Sequence, residues 1–130
     1  MPQLQFDFNK NLTENQKDEL CSFVSALFSQ VMQTGTDHIG ILIREHPQKN
    51  LYLGQVSDKS AGILLVNIDL RSGRTELQME EFKNKVMYGI KKITEVPTEN
   101  IYLVYSQHSG KDFRLSDRNL SDWQKNEEII

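Results

Sequence analysis

The residues with the most chemistry in them are Pro2 and a pair of arginines, Arg71 and Arg74, separated by Ser72-Gly73. Removal of Met1, the normal outcome when the second residue is small, would leave Pro2 with a free secondary amine. Such an amine acts as a general base if its pKa is brought towards neutrality. Retention of Met1 would leave an amide nitrogen with no such capacity. Pro2 also has an ordinary explanation, because proline lacks a backbone N–H and suits the first residue of a strand. A planar guanidinium can grip a carboxylate through two charge-assisted hydrogen bonds. Two arginines in a turn are more commonly solvated, and a cation just ahead of a helix is opposed by the helix dipole.

The remaining titratable residues offer less. His46 and His108 are expected at strand ends and His38 at the opening of a strand, with no cysteine-rich or clustered ligand pattern. No metal and no cofactor are therefore expected. Cys21, the single cysteine, excludes an intramolecular disulfide, fits a reducing compartment, and lies beside an apolar helix face where an inert buried thiol is expected. A length of 130 residues with 38% hydrophobic content fits one domain with one core. The net charge of -3 exerts no long-range pull towards nucleic acid or an anionic membrane. No apolar run reaches membrane-spanning length, and no basic segment followed by an apolar stretch opens the chain. A cytoplasmic protein with neither a membrane nor a nucleic-acid partner is the expectation.

Several elements must position Pro2 and the arginines. Leu4, Phe6 and Phe8 alternate with polar residues, the period of a half-buried strand. Thr13 with Gln16 forms a capping box, followed by Leu20, Phe23, Val24, Leu27, Phe28 and Val31 on one helix face, ending near Gly35. Ile39, Ile41 and Ile43 alternate as a second strand, and Leu51-Tyr52-Leu53-Gly54 reads as a small strand or hairpin arm. Residues 63–70 form a more continuously apolar strand, and Arg71-Ser72-Gly73-Arg74 turns the chain. Thr75 with Gln78 opens a second helix through Met79, Phe82, Val86, Ile90 and Ile93, ended by Pro97. Ile101, Leu103 and Tyr105 mark a fourth strand, in which Tyr102 and Tyr105 point in opposite directions.

These elements repeat. Each residue from Thr13 to His46 pairs with the residue 62 positions later, without a gap, and eight pairs are identical, His46/His108 among them. Caps, apolar faces and turns coincide in one register, which marks two copies of a β-α-β unit. The expected organisation is a single domain, with a first unit over 1–46, a connection with a short hairpin over 47–60, a second unit over 61–108 and a C-terminal arm over 109–130. Right-handed crossovers then give an α/β two-layer sandwich, a four-stranded mixed sheet with both helices on one face. If the first strands of the units meet at the centre, they run antiparallel and Pro2 lies near Arg71. The open face and edges of such a sheet call for self-association.

A proline after the initiator methionine, two β-α-β units and the turn "SGRTELQ" together resemble the tautomerase superfamily. The two-unit length resembles its migration inhibitory factor, malonate semialdehyde decarboxylase and cis-3-chloroacrylic acid dehalogenase branches. "LRSGRTE" and "EHPQKNLYLG" are similar to the dehalogenase, whereas "PQLQFDF", "REHP" and "GKDF" are similar to the decarboxylase. Phe28 stands where the dehalogenase pattern has a histidine, and no glutamate lies between Glu99 and Glu127 to match its water-activating carboxylate. His38, with Asp37 beside it, falls nearest the decarboxylase's functional aspartate.

The resemblance implies a homotrimer with a catalytic amino-terminal proline. It makes Arg71 and Arg74 the binders of a small carboxylic acid, and it makes Tyr102 and His38 candidate pocket residues. The implied activity is a cofactor-independent tautomerase acting on a small 2-oxo acid. Dehalogenase, hydratase or decarboxylase chemistry with Pro2 as an acid, and a non-catalytic binding protein on the same scaffold, are the alternatives. The expected assembly is checked by light scattering at micromolar concentration, which should return the trimer mass rather than a stable monomer.

Overall fold

The computed structural model describes residues 2–56, 58–125 and Glu127. The strands are β1 (Gln3–Phe8), β2 (Gly40–Glu45), β3 (Leu64–Arg71) and β4 (Ile101–His108), and the helices are α1 (Glu14–Met32) and α2 (Glu76–Thr94). The sheet order is β2-β1-β3-β4. β1 and β2 pair in parallel, as do β3 and β4, while β1 and β3 run antiparallel at the centre. This is the expected mixed sheet of two β-α-β units.

Alternation dictates the two faces. Leu4, Phe6 and Phe8 of β1 and Leu64, Val66, Ile68 and Leu70 of β3 are buried in a core with Leu20, Val24, Phe28, Phe82, Val86 and Ile90 of the helices. Phe28 and Phe82 meet edge to face, with centroids 5.2 Å apart, across the line between α1 and α2. Gly89 lets the helices close up, since a Cβ there would sit 2.0 Å from the ring of Phe23. Tyr105 belongs to this layer, as expected. Its hydroxyl donates to the Met79 carbonyl at 2.8 Å, and burial, helped by the charge of Glu80, pushes its phenol well above the ordinary value.

The two units lock together through their caps. In each capping box the glutamine Oε1 accepts the threonine N–H, for Thr13/Gln16 at 2.8 Å and for Thr75/Gln78 at 3.0 Å. The amide nitrogen of Gln16 then donates to the Ile93 carbonyl at 3.1 Å, and that of Gln78 to the Val31 carbonyl at 3.2 Å. Val31 and Ile93 are themselves repeat-equivalent, so the antiparallel helices satisfy each other's last-turn carbonyls by pseudo-two-fold symmetry.

On the opposite face Asp7 pairs with His46 at 2.7 Å and Asp69 with His108 at 2.8 Å, again repeat-equivalent. Arg44 also grips Asp7 through Nε at 2.7 Å, and that hydrogen bond holds the Asp7 carboxyl below its ordinary value. This face carries Leu42, Tyr102 and Val104 exposed. Among the described residues, no helix is long and apolar enough to cross a membrane.

Three local expectations are corrected. The first helix stops on Gln33 (φ 51°) in the left-handed conformation, two residues ahead of Gly35, and the second stops on Glu95 (φ 65°), ahead of Pro97 as expected. These residues are repeat-equivalent, and each N–H is captured by a carbonyl of the last helical turn, of Ser29 and of Lys91, which offsets the unfavourable backbone region. Leu51–Leu53 form no strand. Residues 51–56, which follow a short 3₁₀ helix at Gln48–Asn50, are irregular, and Tyr52 lies exposed without a ladder partner among the described residues; a second 3₁₀ helix spans Lys59–Ala61. Cys21 is only partly buried, although that burial still pushes its thiol upward.

The mutual capping gives a direct check. Gln16→Ala and Gln78→Ala should each destabilise the chain by about 1–2 kcal/mol, because each removes a cap partner and a cross-helix bond. Urea unfolding should return similar losses for the two.

Candidate active site

The antiparallel register places Gln3 opposite Asp69 and Leu4 opposite Ile68. Continued by one step, it sets Pro2 opposite Leu70, one residue from Arg71. Pro2 is buried, and its carbonyl accepts the Gly40 N–H at 3.0 Å, which ties the start of β1 to the start of β2. The register therefore brings Pro2 and the start of the arginine turn to the same end of the sheet.

Both arginines are buried, Arg71 with 2% and Arg74 with 8% of its surface exposed, so they are not solvated turn residues. The C-terminal arm covers them. It leaves β4 through a 3₁₀ turn at Gly110–Asp112, forms an isolated bridge between Arg114 and Asn119, and buries Leu120 and Trp123. The Trp123 N–H donates to the Ser72 carbonyl at 2.8 Å, and its indole N–H to the Gln33 carbonyl at 3.3 Å. Gly73 makes this approach possible. It sits at φ 126°, and a Cβ there would lie 2.2 Å from the Trp123 carbonyl oxygen.

The two guanidinium groups have different surroundings. Arg71 Nη1 donates to the Ser121 carbonyl at 2.8 Å and to Glu127 Oε2 at 3.4 Å, and Nη2 donates to Glu127 Oε1. Arg74 finds no hydrogen-bond partner for any of its three nitrogens among the described residues. It is held by aromatic faces instead, 5.0 Å from the Trp123 ring centre and 5.7 Å from that of Phe28. Burial, with the like charge of Arg71, lowers its pKa to about 10, while Glu127 opposes the shift. A buried cation with free donors is suited to taking up an anion.

His38 stands in the turn before β2, half-buried and at the same end of the sheet as Pro2. Beside that end, Gln3, Asp69, His108, Asp112, Phe113 and Arg114 line a cavity of 380 Å³. Tyr102 is not part of the group within its own chain. It pairs with Leu65, six register steps from the Arg71–His108 pair, about 20 Å along the strand. Glu127 and Trp123 join the site without having been singled out by sequence, because nothing periodic in the arm announces them.

The chain has the fold of the tautomerase superfamily. No family model and no curated protein match it, and the likeness is to solved structures. A member of the cis-3-chloroacrylic acid dehalogenase family aligns with a TM-score of 0.82 and 13% identity, covering 92% of this chain and 84% of that one. A fused 4-OT wild type asymmetric trimer aligns at 0.79 and 18%, covering 90% and 94%. A malonate semialdehyde decarboxylase inhibited by 3-bromopropiolate aligns at 0.75 and 9%, covering 87% and 88%. At such identities the likeness is one of fold, across structures of differing activity.

The free donors of Arg74 have a consequence for stability. Arg74→Met keeps the bulk against Phe28 and Trp123 and removes a buried charge, and should stabilise the chain by roughly 1–3 kcal/mol. Denaturant unfolding checks this, and a loss of stability would mean that the guanidinium is satisfied in the folded chain.

Proposed function

We propose that this chain is a cofactor-independent tautomerase that interconverts the keto and enol forms of a small 2-oxo acid, with Pro2 as the general base. The observation that supports the reading most is the burial of two guanidinium groups at the end of the sheet where Pro2 lies, one of them without a hydrogen-bond partner among the described residues. Pro2 would take a proton from the carbon beside the carbonyl and return it elsewhere. An unperturbed α-amine has a pKa of about 8, and burial beside cations lowers it towards neutrality. Arg74, with Arg71 adding to the positive field beside it, would hold the carboxylate and stabilise the developing enolate, with His38 as a polar wall at the same end. We read the functional unit as a homotrimer, in keeping with a similar structure that is an asymmetric trimer. Tyr102 would then wall a pocket only from a neighbouring copy.

One observation favours a second reading, the Glu127 carboxylate on Arg71. A carboxylate near Pro2 raises the pKa of the amine and can take a proton from water. With Pro2 protonated, the chemistry becomes hydration or dehalogenation of an unsaturated acid, or decarboxylation of a 3-oxo acid.

The deciding experiment starts from protein whose intact mass shows Met1 removed, assayed with phenylpyruvate, a monocarboxylate, and 2-hydroxymuconate, a dicarboxylate, turnover of either one counting as activity. Pro2→Ala should lower kcat by about 10²–10⁴-fold with folding intact. Full activity in Pro2→Ala sinks the mechanism. Inactivity of the parent, with turnover of an unsaturated or 3-oxo acid, selects the second reading.

A further inference from the structure

The two arginines of the site are not equivalent, and the difference bears on which acids it can take. Glu127 meets Arg71 end-on through both terminal nitrogens, and the Ser121 carbonyl takes a further donor. The Glu127 carboxylate is itself positioned, since the Gln124 N–H donates to Oε2 at 3.2 Å. The terminal nitrogens of Arg71 are therefore already occupied by a carboxylate belonging to this chain, and only its Nε is without a partner among the described residues. Arg74 keeps three nitrogens without a partner among the described residues, each shut off from solvent, behind Trp123. Two cations less one carboxylate leave one net positive charge.

We propose that Glu127 sets the charge of the ligand: by occupying Arg71 it leaves Arg74 as the anion receptor, so that the site takes a monocarboxylate and excludes a dicarboxylate. The ligand class, a 2-oxo acid, rests on the tautomerase reading, whereas the charge selection rests on the Arg71–Glu127 pair. A second carboxylate on the ligand would find Arg71 already paired and the Glu127 charge beside it. In a dry, low-dielectric site that repulsion discriminates strongly. Because the Arg74 nitrogens are sealed, an anion reaches them by shifting the segment that carries Trp123. Trp123 is the only tryptophan in the chain, so its indole reports the event directly.

The test titrates full-length chain carrying nitrogen-15 tryptophan with 2-oxopentanoate and with 2-oxoglutarate, acids of equal chain length that differ by a terminal carboxylate. The single indole resonance of the wild type should shift with 2-oxopentanoate and respond to 2-oxoglutarate with an affinity weaker by about tenfold or more. Glu127→Gln keeps the hydrogen-bonding shape and removes the charge. It should narrow that ratio by about tenfold, chiefly through tighter 2-oxoglutarate. Arg74→Met should bind neither acid. Where Glu127→Gln does not give a folded thermal melt, Glu127→Met takes its place with the same expectation. Selectivity unchanged by loss of Glu127 overturns the proposal, as does a wild type that responds to neither acid or prefers the dicarboxylate. The measurement needs neither turnover nor a free amine. Charge selection in a chain without tautomerase activity would count against the proton-transfer reading alone, and Pro2-dependent activity with selectivity indifferent to Glu127 would overturn this inference alone.

Discussion

The antiparallel pairing of β1 with β3 is the contact on which the rest depends. It joins the two β-α-β units, places Leu4, Phe6 and Phe8 in a single core with Val66 and Ile68, and carries Pro2 to the end of β3. A slip of one residue would turn every side chain of β1 to the other face. Leu4, Phe6 and Phe8 would then stand on the polar side and Asp7 in the core, at the cost of nearly all the apolar burial that β1 provides. Core packing thus fixes the register, and the register brings Pro2 to the sheet end from which the arginine turn leaves.

The helices contribute through the same symmetry. Gln16 and Gln78 each close their own helix and the far end of the other, so neither unit is completely capped alone. This is a coupling between halves that face each other on one layer, with hydrogen bonds of ordinary strength placed where carbonyls would otherwise lack partners.

What is legible in the sequence is the part governed by short spacing. Alternation in β1 and β4, the Thr13/Gln16 and Thr75/Gln78 boxes and the 62-residue repeat define the sheet and both helices, and parity alone assigns Tyr105 to the core. Gly35 misleads because glycine is the usual left-handed residue, whereas Gln33 is held there by hydrogen bonding. Leu51–Leu53 have apolar residues but no strand to pair with. The arm is opaque for a different reason. Trp123 reaches Gln33 across 90 residues and Glu127 reaches Arg71 across 56, and no local pattern encodes contacts of that span. Spacing picks out the arginines, but their burial and unequal pairing depend on that arm.

The repeat also has a strand-end turn without arginines. Subtracting 62 from Arg71 and Arg74 gives Asn9 and Leu12, both buried at the far end of β1. Asn9 accepts the Ile63 N–H at 2.6 Å and donates to the Gln48 carbonyl at 2.9 Å, and the Leu12 N–H donates to the Glu45 carboxylate that Lys17 pairs, so this end is closed by hydrogen-bonded groups and matched charges. The duplicated architecture thus supplies two matching strand ends and divides labour between them. One end is a seam of satisfied groups that holds the halves together, and the other stores an unsatisfied charge. A single-unit chain assembled symmetrically would have to place that charge at every such end and bear its desolvation each time. Fusion of two units lets the sequence confine the electrostatic penalty to half of its ends, with the satisfied half supporting the other.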